Sequence, residues 1–414
     1  MDGHNPGDSR FALPDMFRAG LPAPSPRFTG HPPYNFVGGH NDPSQVPAEA
    51  LAEAAAKVLR EHGHLLGVYS LGGSPLGHER LRTFVADKLA KRSGIACTAE
   101  DVLLTSGSLQ GMDLVNNLLI APGDTVILEE FTYGGAITKV QKLGAKVIGA
   151  PLDAGGIRMD ALRAILEDLR AKGVRPKYIY TIPTVQNPTG SIMSLERRHE
   201  LLALSREFGV PVFEDECYAD LVWAGTRPPA LYALDPSRVI HVGSFSKSLA
   251  PALRIGYIVA NWDVLSRILA TKSDAGSGAL EQMVVAEYVE GRFDAHVPAL
   301  TSALKVKLDA MVEALHEEFG TSAELFIPDG GIFLWLKLPD QVDVRTFTQA
   351  ALAQGLAFNP GPEWSCDPEA AKSHMRLCFA LPDVETIRRG VGELARICFE
   401  NTGIPEHGAN RRRS

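Results

Sequence analysis

Along the middle of the chain, short runs that are apolar on both faces alternate with longer segments whose apolar positions recur every three or four residues. VLLTSG, DTVILEE, AKVIGAP, KYIYTIPT and VPVFEDE read as buried strands. The intervening SLQGMDLVNNLLI, GGAITKVQKLG, RMDALRAILEDLRAKG and LERRHELLALSREFG read as amphipathic helices. Strands without a polar face need cover on both sides, so the pattern predicts an α/β architecture: a mostly parallel central sheet flanked by helices. Two further apolar segments, VIHVGSF and RIGYIVA, extend it. Residues 261–320 are helical in pattern, and ELFIPDGGIFLWLKL then reads as two strands about a Gly-Gly turn, followed by helix FTQAALAQG, strands LAFNP and HMRLCFA, and a closing helix. Residues 1–46, rich in Pro and Gly and without a period, read as an extended arm. The expected organisation is an arm over 1–46, a large α/β domain over 47–300 and a smaller α+β domain over 301–414.

Composition narrows the function classes. The 414 residues are 45% hydrophobic and 22% charged, as in globular proteins that bury large cores. The net charge of −8 (41 − 49) argues against nucleic acid or an anionic membrane surface as a partner. The terminal Arg411, Arg412 and Arg413 read as a solvated tail. Cys97, Cys217, Cys366, Cys378 and Cys398 are scattered and form no CxxC pair, which suggests neither a disulfide framework nor a metal site. His40, His78 and His374 share no ligand spacing, so no metal is expected. The N-terminus lacks the basic-then-apolar order of a secretory signal, and no apolar run is long enough for a bilayer. A cytoplasmic location is the expectation.

Four segments carry candidate chemistry. In Ser244-Phe-Ser246-Lys247-Ser-Leu-Ala-Pro-Ala-Leu-Arg254-Ile-Gly256, hydroxyls and a guanidinium suit a phosphate dianion, and the lysine amine among them suits Schiff-base formation with a carbonyl. Otherwise the segment is a loop with a solvated lysine. Glu214-Asp215-Glu216-Cys217-Tyr218 lies at the carboxyl end of a strand, where ligands of parallel sheets bind. An aspartate there can pair with a protonated ring nitrogen and a phenol can bond a ring oxygen; capping a helix or binding a metal are the other uses of such acids. Asn187-Pro-Thr-Gly190 places an amide at the same edge or is simply a turn. Thr105-Ser-Gly-Ser108-Leu109-Gln110 joins a strand to a helix whose N-terminus suits a phosphate. The glycine-rich GGSPLG lacks the Lys-Ser/Thr ending of a nucleotide loop.

Together these segments resemble the fold-type I pyridoxal-phosphate enzymes of the class I/II aminotransferase family. The resemblance covers nearly the whole chain and includes YNFVGGHNDPS, PDGGIFLW, FNPGPEW and Arg376 in HMRLCF, in the family's order. The SFSKSLAPALRIGY spacing is most similar to the branch with 2-aminoadipate, kynurenine and multisubstrate aromatic aminotransferases. The resemblance implies pyridoxal 5′-phosphate as cofactor, an α-amino acid and a 2-oxo acid as substrates, and a homodimer. It implies that Lys247 binds the cofactor aldehyde and moves the proton, that Asp215 holds the ring nitrogen protonated, and that Asn187 and Tyr218 bond the ring hydroxyl oxygen. Ser108, the N–H of Leu109, Ser244, Ser246 and Arg254 would hold the phosphate, and Tyr133 would stack on the ring. Arg376, with the Gly39 backbone nearby, would clamp the substrate carboxylate. Tyr69 resembles the tyrosine that reaches the neighbouring subunit's phosphate. The chain departs from the pattern at Leu109, where the branch has glutamine, after Gly39, where HNDPSQVP replaces LPxPxxFP, and in a longer Tyr69–Gly77 segment. Decarboxylation, elimination, cyclisation or oxidation on the same cofactor is the alternative chemistry. A transcription regulator on this fold is disfavoured, because only about forty residues precede Gly38-Gly39, too few for a helix-turn-helix domain. The sequence leaves the donor and acceptor open, with Arg18 and Arg27 as candidate partners for a distal substrate carboxylate.

Overall fold

Seven strands form the central sheet: β1 (Val102–Ser106), β2 (Thr125–Glu129), β3 (Lys146–Ala150), β4 (Ile179–Thr181), β5 (Val212–Asp215), β6 (Val239–Ser244) and β7 (Ile255–Val259). Their spatial order is β1-β7-β6-β5-β4-β2-β3. All run parallel except β7, which is antiparallel to both of its neighbours. The computed structural model describes residues 13–17, 20–21, 24–25, 27–28, 30–225 and 227–405. Arg18 and the Arg411–Arg413 tail lie outside the described residues.

The strands lack a polar face because each feeds two cores. Leu103, Leu128, Tyr180, Phe213 and Val242 enter one apolar cluster, while their neighbours Leu104, Ile127, Ile179, Val212 and Tyr257 enter the other. Period-2 alternation sends successive side chains to opposite faces, so helices on both sides must supply the cover. Only the edge strand β3 is partly exposed along its length.

A second, antiparallel sheet is built from β8 (Glu324–Phe326), β9 (Phe333–Lys337), β10 (Asn359–Pro360) and β11 (His374–Cys378), in the order β8-β9-β11-β10. The LAFNP run is divided. Leu356–Ala357 pairs in parallel with Tyr34–Asn35, and only Asn359–Pro360 joins β11.

The chain forms two compact units, residues 1–31 and 32–414. In the smaller, Leu13–Met16 makes a 3₁₀ turn with no buried residue, and Arg27 is exposed. Residues 32–46, assigned by pattern to the arm, belong to the larger unit through the Tyr34–Asn35 pairing and the fully buried Phe36. The expected boundary at 300 falls inside the continuous helix Phe293–Phe319. No helix among the described residues is long and apolar enough to cross a membrane.

Candidate active site

The carboxyl ends of β1, β4, β5 and β6 lie along one edge of the sheet, and the reversed β7 begins there. At the first of these ends, Gly107 adopts φ +75° and helix Ser108–Leu119 follows. The first-turn N–H groups of a helix have no intrahelical acceptor and carry the positive end of its dipole. Arg254 enters β7 with a left-handed φ of 53°, and its guanidinium donates to Ser106 O at 3.0 Å and to Pro251 O at 3.1 Å. A side chain at Gly107 would overlap that guanidinium. A Cβ at Gly256 would meet Ser108 N and Gly107 C at 2.5 Å, so β7 reaches the turn only with glycine there. Ser244 at the end of β6 donates to Ile255 O at 3.3 Å and accepts from Ser246 N at 3.0 Å. Helix N–H groups, hydroxyls and a guanidinium thus converge on an anion cradle.

Asp215 ends β5. Its carboxylate accepts from the Tyr180 hydroxyl at 2.8 Å and from Cys217 N at 3.2 Å, with no lysine or arginine paired to it among the described residues. Burial raises its carboxyl above the ordinary value, an effect the hydrogen bonds only partly offset. The Lys247 amine donates to Gly39 O at 2.6 Å, and burial pulls its pKa below the usual lysine value. Asn187 Nδ2 donates to the Tyr218 hydroxyl at 3.1 Å, and Asn187 Oδ1 accepts from Arg376 Nη1 at 3.1 Å. The amide predicted at the sheet edge therefore joins a phenol to a guanidinium.

Arg376 lies on β11, only 2% exposed. Its guanidinium carbon sits 3.7 Å from the centre of the Phe333 ring and 3.5 Å from the Trp364 ring. Nη2 donates to Gly38 O at 3.0 Å and to Asn359 Oδ1 at 2.6 Å, and the Nε–H has no acceptor among the described residues. Burial lowers its pKa to about 10. A buried cation between two aromatic faces, facing only neutral acceptors, is arranged for an anionic ligand in its own plane.

One cavity of about 290 Å³ collects these groups. Ser108, Leu109, Tyr133, Asn187, Asp215, Tyr218, Ser244, Ser246, Lys247, Arg254, Gly39 and Arg376 all line it. Tyr69 does not: it is 84% exposed in the turn Tyr69–Gly72. The wall also contains Phe333, Asn359 and Trp364, which sequence reasoning did not single out. The PDGGIFLW and FNPGPEW motifs carry them, but their role depends on packing around Arg376.

The model of the family "aminotransferase class I and II" matches residues 39–394. The chain is 33% identical over 370 residues to aromatic-amino-acid aminotransferase 1 of Thermococcus litoralis, covering 88% of each. It is 34% identical over 368 residues to 2-aminoadipate transaminase of Thermus thermophilus, covering 87% of this chain and 89% of that relative. Among solved structures, kynurenine aminotransferase of Pyrococcus horikoshii matches with a TM-score of 0.84 at 32% identity, over 90% of this chain and 92% of that one. With sequence and fold agreeing over most of its length, the chain belongs to the class I and II aminotransferases, fold-type I enzymes that use pyridoxal 5′-phosphate to move an amino group between an α-amino acid and a 2-oxo acid.

Proposed function

We propose that the cavity beside Lys247 is the transamination site and that the residues lining it divide the work as follows. When bound, pyridoxal phosphate supplies an aldehyde that condenses with amines and a ring that draws electrons from the substrate Cα. Lys247 would hold the cofactor through its amine and would then serve as the base that moves the substrate Cα proton. Asp215 keeps a proton at the pyridine nitrogen. Asn187 and Tyr218 bond the ring hydroxyl oxygen, and Tyr133 covers a ring face. Ser108, the Leu109 N–H, Ser244, Ser246 and Arg254 hold the phosphate. Arg376, beside the Gly39 backbone, clamps the α-carboxylate and leaves the Cα hydrogen as the bond to break.

The observation that carries this reading is the convergence of these groups on one cavity. The donor set fits the cofactor. Asp215 is a buried carboxylate without a cationic partner, as a pyridinium requires, and the Gly107–Gly256 approach leaves the helix N-terminus and Arg254 around one anion position. Borohydride reduction of the purified protein should leave the cofactor covalently attached to the peptide bearing Lys247, and Lys247→Ala should lose that attachment. Attachment at another lysine would overturn the assignment. A half-reaction screen against common amino acids should release 2-oxo acid; carbon dioxide or ammonia in stoichiometric amounts would favour a different bond cleavage.

The protein is further proposed to work as a homodimer in the cytoplasm. The exposed Tyr69 is available to complete a neighbouring subunit's phosphate site. The five cysteines are free thiols, in keeping with a reducing compartment. Sedimentation at micromolar concentration should give a dimer, and an active monomer would refute that part.

A further inference from the structure

The stretch Gly38–Asp42 touches both reacting cations of the site. Gly38 O accepts from Arg376 Nη2 at 3.0 Å, and the next carbonyl, Gly39 O, accepts from Lys247 Nζ at 2.6 Å. Two residues further on the stretch is tied down. Asn41 Nδ2 donates to Ser246 O at 3.3 Å and to Leu249 O at 3.2 Å, both on the loop that carries Lys247. Asp42 Oδ2 pairs with Lys307 at 2.6 Å, its other oxygen accepting from Ser44 N and Ser44 Oγ. Lys307 projects from helix Phe293–Phe319 and also donates to Ala380 O at 2.8 Å, just past the strand that carries Arg376. The lysine is 8% exposed and its partner 19%, so the pair is largely shielded from water. A small void of about 10 Å³ is bordered by Asn41, Asp42, Lys247, Lys307 and Ala380, which places the tie beside Lys247.

We propose that Asn41 and the Asp42–Lys307 pair are positioning residues: they hold the Gly38–Gly39 backbone against Arg376 and beside the Lys247 loop and so fix the orientation in which the carboxylate of either substrate is received. The inference rests on the reading of Arg376 and Lys247 given above. The physical basis is pre-organisation. Asn187, Asn359 and two aromatic rings hold the guanidinium itself, but a Gly38–Gly39 wall free to move must be ordered by each incoming carboxylate, which weakens binding without changing the later proton transfer. The latch joins the Lys247 loop, the Arg376 strand and the long helix, so one loosened tie is felt at both cations.

Asp42→Asn is the most selective perturbation. It keeps an oxygen for Ser44 but presents an NH₂ group to the Lys307 ammonium. The test compares full-length wild type, Asn41→Ala, Asp42→Asn, Asp42→Glu, Lys307→Met and the Asp42→Asn/Lys307→Met double variant. Amide hydrogen exchange over residues 38–46 is read alongside steady-state kinetics with L-2-aminoadipate and L-phenylalanine as donors and 2-oxoglutarate as acceptor. In the single disruptive variants, exchange at 38–46 should accelerate at least about tenfold relative to the central strands, because local opening is then uncoupled from global unfolding. KM for donor and acceptor should rise about fivefold or more with kcat within about threefold. Asp42→Glu should recover part of the affinity, and the double variant should fall no further than either single one, as expected for two groups acting as one unit. Unchanged exchange at 38–46, faster exchange with unchanged KM, or acceleration spread evenly over the chain would each overturn the proposal. Where neither donor turns over, unchanged exchange at 38–46 still overturns the proposal, and KM is read with whichever donor the half-reaction screen identifies. A wild-type Lys247 that captures no pyridoxal phosphate would refute the underlying site assignment instead, so the two failures are distinguishable.

Discussion

Replacing Arg376 by alanine removes the guanidinium to which the proposed function assigns the substrate carboxylate. The guanidinium is held between the faces of Phe333 and Trp364, with Nη1 on Asn187 and Nη2 shared by Gly38 and Asn359, and the Nε–H has no acceptor among the described residues. Nε and Nη2 lie on one edge of a guanidinium, so a bidentate carboxylate takes the Nε–H and displaces one neutral acceptor from Nη2. Each charge-assisted hydrogen bond is worth about 1.5–3 kcal/mol, and exchanging Asn359 or Gly38 for the substrate oxygen recovers only part of the second. The net loss is therefore roughly 3–4 kcal/mol, a fall of ~10²–10³ in kcat/KM. Arg376→Lys should recover less than half of this free energy, because an ammonium is not held flat between two rings and cannot make two parallel bonds. The assay is single-turnover release of 2-oxo acid across a donor concentration series, which separates saturation from the rate at saturation. If Arg376→Ala saturates at wild-type donor concentrations, the carboxylate is bound elsewhere and the reasoning fails.

Asp215→Asn should lower turnover by at least about a hundredfold while leaving the cofactor-free protein as stable or more stable, since burial already holds that carboxyl above its ordinary value and its charge opposes folding; parallel melting and kinetic measurements check this, and retained turnover would remove Asp215 from its role. Gly256→Ala should weaken cofactor binding and lower stability by about 1–3 kcal/mol, because the new methyl meets backbone at Gly107 and Ser108 that cannot yield as a side chain would; equilibrium dialysis and urea unfolding read both effects. Glu129, fully buried beneath the site, has its carboxyl raised from 4.5 to about 7 by burial, against hydrogen bonds from Gln186, Thr181, Ile182 and Thr132. The folded state thus holds a proton that the unfolded chain releases, so this contribution to stability is present in full below pH 4.5 and is lost as pH rises through 7, by up to about 3 kcal/mol. Urea unfolding across that window should show the loss, and Glu129→Gln should flatten it; an unchanged slope in the variant would assign the effect to another group.

What the sequence disclosed depended on how local the physics was. Strands apolar on both faces could be read from VLLTSG or VPVFEDE alone, because nearly every residue of the run is buried and so must be compatible with a core. Direction could not: nothing in RIGYIVA says that β7 runs backwards, since an antiparallel strand buried on both faces has the same apolar content as a parallel one. Asp215 and Ser108 were legible because the first ends a strand and the second opens the helix just beyond one. Arg376 entered through motif resemblance, and its aromatic sandwich was invisible because Phe333 and Trp364 reach it from β9 and from the turn after β10. LAFNP read as one strand, yet the buried Phe358 between its halves separates pairing with Tyr34–Asn35 from pairing with β11. The Asp42–Lys307 pair spans 265 positions and has no local signature.

The reversal of β7 also explains how the site's charges are separated. A parallel β7 would carry Arg254 to the opposite edge of the sheet, away from the helix N-terminus at Ser108. Running backwards, it delivers the guanidinium at the start of the strand, in register with the ends of β1 and β6 through Gly256 opposite Thr105 and Ser244. Arg376 comes from a different sheet and approaches past Asn187, with Asp215 on β5. Among the described residues, the cavity therefore holds two guanidiniums without paired carboxylates and one buried carboxylate without a paired lysine or arginine, each supplied by a separate element. Buried charges without partners, as at Arg376 and Asp215, are costly, and they are tolerated where a ligand supplies the missing partners; Arg254 is exposed and carries no such cost. In the function proposed above, a phosphate, a substrate carboxylate and a protonated ring nitrogen would be the complements of Arg254, Arg376 and Asp215, respectively. Cofactor and substrate should accordingly stabilise the fold by more than hydrophobic burial alone provides, and that stabilisation should weaken selectively when any one of the three is neutralised.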